Sequence, residues 1–255
     1  MFESENQAYW TGRASGYSQV NQTELATGQR KNWLRVIREQ IGKRFPGKAP
    51  EEIHILEVGC GPGFFAIILA EAGYRVTAID YTPAMLTEAR KNAGSLSGTI
   101  TFLEMNGEAL AFDDQSFHVV VSRNLTWNLP HPEKAYGEWC RVLKPGGLLL
   151  NFDADWYGYL YNEEKREAYE TDRRRTAQAG IHDEYIHTDI DAMEAIARRV
   201  PLSAAQRPSW DLDLLGKLHM QAAADEKIWN RVWSEEEKIN FSATPMFLIT
   251  ASRPA

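Results

Sequence analysis

From residue 53 to residue 152 the chain alternates short apolar runs with stretches whose apolar residues recur every third or fourth place, which predicts strands alternating with helices. Residues 53–58 read as a buried strand entering the glycine turn 59–63, and residues 64–72 carry the spacing of a helix. A second apolar run covers 74–79 and ends in Asp80; Thr82 and Pro83 then open a helix with Met85, Leu86 and Ala89 facing inward. Strands are predicted over 99–104 and 117–121. A helix over 132–143, stopped by Lys144-Pro145-Gly146-Gly147, precedes a strand over 148–152. Repeated strand–helix alternation of this kind implies an α/β fold, a mostly parallel sheet wound on both faces.

The N-terminal part is less regular. Residues 9–20 mix aromatics with glycine and follow neither period, whereas 23–41 predicts a helix capped by Asn21, with Leu25, Trp33, Leu34, Ile37 and Ile41 near helical spacing. Tyr9, Trp10, Arg13 and Tyr17 either pack with that helix on the main domain or cover the glycine turn as a lid. Residues 44–52, with Pro46, Gly47 and Pro50, read as a linker.

The glycine turn carries the first chemical signal. Gly59, Gly61 and Gly63 lack a Cβ, so the backbone can adopt positive φ and bring N–H groups and the following helix N-terminus close to a ligand. By itself the turn also reads as a tight connection with no ligand. Asp80, about 20 residues further on, changes the balance, because a carboxylate there suits both hydroxyls of a ribose. The dinucleotide fingerprint of oxidoreductases needs Gly-x-Gly-x-x-Gly, and the third glycine here comes one residue too early.

With 255 residues, 44% of them hydrophobic, the chain can bury one large core with an elaboration. A formal charge of -7 provides no basic footprint for nucleic acid or an anionic membrane surface. Two cysteines, Cys60 and Cys140, suggest neither a disulfide framework nor a metal site. The first residues lack the basic flank and apolar run of a secretion signal, so a soluble cytoplasmic protein is expected, with no nucleic-acid or membrane partner.

Glu-Val-Gly-Cys-Gly-Pro-Gly at 57–63, Asp80, Leu-Ala-Phe-Asp-Asp-Gln-Ser-Phe at 110–117 and Leu-Lys-Pro-Gly-Gly at 143–147 together resemble the class I S-adenosylmethionine-dependent methyltransferases. The likeness is to the small-molecule branch that includes the ubiquinone and menaquinone C-methyltransferases, and it is close over about 50–155. It implies a Rossmann-like seven-stranded sheet with an antiparallel last strand, placed over 245–251, with 222–229 as the sixth strand. It divides the chain into an N-terminal segment and helix (1–45), a cofactor-binding core (46–155), a helical cap insertion (156–207) and the C-terminal part of the core sheet (208–255).

Carried over by position, the resemblance implies S-adenosyl-L-methionine as cofactor and S-adenosyl-L-homocysteine as product. Gly59, Cys60, Gly61 and Gly63 would lie beneath the methionine part, with Glu57 orienting the turn and Tyr17 above it if the segment is a lid. Asp80 would hold the ribose, Tyr81 and Met85 would flank the adenine, and Asn106, Gly107 and Glu108 would meet its edge. Arg123 and Asn124 would line the methionine end. The family usually has Asp where this chain has Asn106, whose amide oxygen can still accept from the adenine amine.

Specificity in the resembling enzymes comes from what surrounds the strand ends. Trp127 and Asn128 are candidate substrate contacts, as are Trp156 and Tyr157 of the cap, which alternatively form its packing face. His131 and Asp155 are candidate bases, since imidazole and carboxylate can both take a proton near neutral pH; the plainer reading of His131 is a loop-surface residue, and of Asp155 a cap or hydrogen-bond partner. The loop after the fourth strand is not the Asn-Pro-Pro-Tyr type used on DNA bases or protein glutamine. The expected protein is therefore a monomeric or homodimeric enzyme methylating a small, partly apolar molecule, without metal. A non-catalytic cofactor-binding regulator is the first alternative, and a nucleotide-dependent oxidoreductase, which shares the glycine turn and the ribose carboxylate, is the second.

Overall fold

A computed structural model describes residues 2–181 and 189–254. Residues 182–188, within the 156–207 insertion, lie outside the described residues.

Two helices come first, α1 (Phe2–Ala26) and α2 (Gln29–Arg44). Then β1 (His54–Val58), α3 (Phe64–Glu71), β2 (Arg75–Asp80), α4 (Pro83–Ala93), β3 (Thr101–Glu104), β4 (Phe117–Arg123), α5 (Pro132–Val142) and β5 (Leu143–Asp153) build the alternating core. After β5 the chain leaves the sheet for α6 (Glu163–Ala179), α7 (Ile190–Ala197) and α8 (Ser209–Lys217). It returns through β6 (Gln221–Asp225), α9 (Trp229–Val232), α10 (Glu235–Asn240) and β7 (Phe247–Ser252).

The described residues form a seven-stranded sheet in the order β3-β2-β1-β4-β5-β7-β6. β1 pairs in parallel with β2 and β4, and β4 with β5; β7 runs antiparallel to both of its neighbours. Lys144–Gly147 is a bulge inside β5, because Phe117 pairs with Leu143 but the next rung is Val119 with Leu148.

Alternation along each strand divides the core into two layers. Ile55, Val76, Ala78, Val119, Val121, Leu148 and Leu150 face α2, α3 and α4. Leu56, Val58, Ile79, Val120, Leu149 and Ile249 face α5 and α8. The strand order reverses between β1 and β4, and at such a switch point the carboxyl ends of the strands leave a crevice for ligands. Gly59, Asp80 and Asn124 all sit just past or at those ends.

The N-terminus departs from the sequence expectation. Residues 9–20 are helical within α1, and Asn21 is a buried mid-helix residue rather than a cap. The buried stripe of α1 is Ala14, Ser18, Asn21 and Glu24, which has helical spacing but little hydrophobicity, so the apolar pattern does not register it. These polar groups are matched by partners. Asn92 donates to Ser18 Oγ at 3.0 Å and to the Pro62 carbonyl at 3.1 Å, and Gln7 donates to the Tyr81 carbonyl at 2.7 Å. The helix is thereby laid across the strand ends.

Candidate functional site

The turn after β1 is shaped by its glycines. Gly59, Gly61 and Gly63 have φ of 69°, 49° and 91°, the left-handed region in which a Cβ is costly. A Cβ on Gly59 would come within 2.7 Å of Leu125, and one on Gly107 within 2.8 Å of Val58. Gly63 has a different reason, since its missing Cβ lets α3 pack on Ala89 of α4.

Asp80 ties the turn to the end of β2. Its Oδ2 accepts from Gly61 N–H and its Oδ1 from Thr82 N–H, each at 2.8 Å. Burial raises its carboxyl to about 6, against the pull of those two N–H donors. Glu57 is buried more completely, and burial lifts it to about 8 although Arg123 acts in the opposite direction. Its Oε2 has no hydrogen-bond partner among the described residues.

These groups line one cleft of about 1100 Å³, open to solvent. Tyr17, Glu57, Gly59, Cys60, Gly61, Asp80, Tyr81, Met85, Asn106, Gly107, Glu108, Arg123 and Asn124 all border it, together with Phe2, Gln7, Trp10 and Asn21 of α1, which roofs it. Gly63 does not. Cys60 is a buried thiol pushed well above its usual range by burial. The Asn106 amide oxygen already accepts from Glu108 N–H at 2.9 Å, so it first braces its own turn. Glu108 in turn holds His131 N–H at 2.7 Å.

A second cleft of about 1000 Å³ adjoins the first. Trp10, Tyr17, Arg123 and Asn124 line both and form the wall between them. The second is lined otherwise by Tyr9, Arg13, Val20, Glu24, Trp33, Trp127, Trp156, Tyr157, Met193, Trp233, Glu237, Phe241 and Met246. Trp127 stacks at a tilt on Tyr157 with centroids 4.8 Å apart, and its indole N–H donates to the Asn124 carbonyl at 3.0 Å. Asn124 is one of the non-glycine residues at positive φ, 55°, and its Oδ1 is buried without a partner among the described residues. Strain and an unmet acceptor at the junction of two clefts point to a ligand-facing role.

Arg123 borders the clefts and has a second commitment besides. It makes a two-pronged ion pair with Glu24 of α1, at 2.6 and 2.9 Å, and its guanidinium lies over Trp33, Phe64 and Phe65. Burial opposes its charge, and the Glu24 carboxylate more than offsets that. It anchors the roof while bordering both clefts.

His131 and Asp155, the candidate bases, border neither cleft. His131 flanks the N-terminus of α5 with its ring at the surface. Asp155 is drawn into an ion pair with Lys165 of α6 and lines a separate cleft with Tyr159 and Arg207. The chain turns away into the cap just after Asp153, which carries Asp155 off the strand ends. Trp127, Trp156 and Tyr157 do meet in the second cleft, whereas Asn128 faces the first. Glu24, Trp33, Trp233, Glu237 and Phe241 complete the second cleft, and no local motif marks them. Among the described residues no helix is long and apolar enough to cross a membrane, and no cluster of His, Cys, Asp or Glu is placed to hold a metal ion.

The Glu57 carboxyl yields a pH prediction. A carboxyl lifted from 4.5 to about 8 binds its proton more tightly in the folded than in the unfolded state, so it contributes a loss of stability as pH rises between those values. The ligand-free protein should lose stability relative to Glu57→Gln as pH rises from 5 to about 8. Urea midpoints at several pH values measure this, and a constant difference would mean that Glu57 is ionised throughout.

Comparison with known proteins agrees with this architecture. Residues 56–151 match the family described as a methyltransferase domain. An uncharacterized methyltransferase of Mycobacterium avium is 35% identical over 104 residues, 41% of this chain and 40% of that protein. A demethylmenaquinone methyltransferase of Renibacterium salmoninarum is 32% identical over 131 residues, 51% of each. The chain spans about half or less of the length of the curated relatives it matches. Among solved structures, the plantazolicin methyltransferase BpumL, in complex with a triazolic desmethylPZN analog and SAH, superposes with a TM-score of 0.63 over 100% of this chain and 97% of that one, at 11% identity. The matched residues 56–151 include the glycine turn and Asp80, so the part of the chain that lines the first cleft, α1 aside, is the part that is similar to a methyltransferase domain.

Proposed function

We propose that this protein transfers a methyl group from S-adenosylmethionine to a small, partly apolar molecule held in the second cleft. The observation that carries this reading is the pair of adjoining clefts at the switch point, one polar and glycine-cradled, the other aromatic, sharing the wall of Arg123, Asn124, Trp10 and Tyr17.

The first cleft suits an aminoacyl nucleoside. Glu57 Oε2 is a buried acceptor in want of a donor, which an ammonium group would supply, and Gly59, Gly61 and Gly107 keep the floor free of side chains. Asp80 spends one hydrogen bond per oxygen on the turn and retains acceptor capacity for ribose hydroxyls. Tyr81 and Met85 supply apolar surface for a base, and the backbone from Asn106 to Glu108 supplies its edge contacts. Bound there, S-adenosylmethionine would supply an electrophilic methyl group on a sulfonium sulfur.

The chain's own contribution is mostly positioning. A nucleophile held in line with a leaving bond gains much of its rate from orientation alone. Trp127, Trp156 and Tyr157 hold a flat apolar body and exclude water, and Asn124 Oδ1 fixes its polar end beside the shared wall.

Calorimetric titration with S-adenosylhomocysteine, followed by methyl transfer to a cell-extract small-molecule fraction with labelled donor, tests the reading. Binding and a labelled small product are expected. Binding with no methylated product in any fraction would leave a regulatory cofactor binder instead.

A further inference from the structure

We propose that Glu237, on the C-terminal helix α10, accepts the proton released by the methyl acceptor, and hence that the acceptor presents an O–H or N–H group in the second cleft. This rests on the methyl-transfer reading above. Glu237 borders the second cleft close to the shared wall, next to the Glu24–Arg123 pair. Its backbone N–H is held by Ser234 Oγ at 3.1 Å, while its Oε2 accepts from Ser234 N–H at 2.6 Å and from Gln29 Nε2 at 2.5 Å. Donors from α2 and from the start of α10 thus fix the carboxyl within a chamber whose lining is largely aromatic.

Charge counting singles it out. Two carboxylates, Glu24 and Glu237, share the single guanidinium of Arg123, and Glu24 occupies both of its prongs. Glu237 therefore meets Arg123 as the second of two carboxylates, in a cleft that Arg13, Tyr9, Tyr17 and Tyr157 also border. Burial foremost, and Glu24 next to it, raise its carboxyl to about 7, while the Ser234 N–H and Arg123 pull the other way. A carboxyl balanced near neutral pH is matched to general-base work. In the step, the acceptor's O–H or N–H bond breaks and its electron pair stays on the heteroatom, where it balances the bond formed to the methyl carbon. The proton passes to the Glu237 carboxylate, and the donor's sulfur keeps the electron pair of the bond that it loses.

Glu237→Gln is a clean variant, because glutamine at the third helical position sustains the same capping arrangement with Ser234. The full chain and the variant are titrated with 4-butylphenol, 4-butylaniline and their fully methylated counterparts, following quenching of the tryptophans that line the cleft. The wild type should prefer the protic probes by about tenfold over the methylated ones, more so above pH 7 than below it, and the phenol and aniline arms tell O–H from N–H. The variant should lose that preference and its pH dependence. With the extract fraction, transfer should fall about 100-fold in the variant, with S-adenosylhomocysteine affinity unchanged. Equal affinities for protic and methylated probes in the wild type, no binding of either, or wild-type transfer by the variant would overturn the assignment of Glu237. Failure of both proteins to bind S-adenosylhomocysteine would instead count against the methyl-transfer reading itself.

Discussion

Replacing Arg207 by methionine is expected to lower the unfolding free energy by about 3–5 kcal/mol, the usual cost of removing one partner from a buried ion pair. The side chain is fully enclosed and so are those of its partners, Asp153 and Asp211. Its Nη1 donates to Asp153 at 2.9 Å, its Nε to Asp211 at 2.9 Å, and its Nη2 to Asp211 at 2.7 Å and Thr126 at 2.8 Å. Tyr136 also donates to Asp211 at 2.7 Å, and Asn151 to Tyr136 at 2.8 Å. Methionine would fill much of the volume, but two buried carboxylates would lose the guanidinium that they share. The urea midpoint should fall sharply, and adding Asp211→Asn should recover part of the loss, because one of the stranded charges is then removed. A loss below about 1 kcal/mol would mean that water or a shifted cation reaches these carboxylates.

The network matters for the site because of what Asp153 holds. Its Oδ2 also accepts the Trp127 backbone N–H at 3.0 Å, so the aromatic wall of the second cleft hangs from the same carboxylate that Arg207 neutralises. The variant should therefore bind S-adenosylhomocysteine nearly as well as the wild type at temperatures where it is folded, while acceptor binding weakens.

Asp80→Ala is expected to weaken S-adenosylhomocysteine binding by about 1.5–3 kcal/mol, the worth of hydrogen bonds to a charged group, or roughly 10- to 150-fold in the dissociation constant. Two losses combine. Ribose hydroxyls lose an acceptor, and the Gly61 and Thr82 N–H groups lose the oxygens that hold the turn against β2. Asp80→Asn should fall between the wild type and the alanine variant, since an amide keeps the shape and one acceptor. Hydroxyl donors favour the ionised carboxylate, so wild-type affinity should rise with pH through about 6 and that rise should be absent in Asp80→Asn. An unchanged dissociation constant in the alanine variant would remove Asp80 from the ligand.

The central part of the fold was legible because its signals are local. A buried strand, a turn that demands positive φ and a helix with an apolar stripe each impose their pattern on a handful of consecutive residues, as at Leu56, Gly59 to Gly63 and Phe64 to Leu69. The spacing from Gly59 to Asp80 is set by one strand–helix–strand unit, so the polar cleft could be read along a single stretch. Helix α1 was not legible over 9–20, since it buries Ala14, Ser18, Asn21 and Glu24 and satisfies them with Asn92 and Arg123 from elsewhere in the chain.

What the sequence by itself determined, then, is the alternating α/β core, the glycine cradle and the carboxylate at the end of β2, all of which depend on neighbours within about 30 residues. Only the tertiary structure decided the rest. It set Arg123 against Glu24, moved His131 and Asp155 away from the clefts, and brought Trp33, Trp127 and Glu237 into one chamber. Those residues come from α2, the loop after β4 and α10. Their proximity follows from how helices pack on a sheet whose strand order departs from chain order, and contacts of that range leave no mark on the spacing of any one segment.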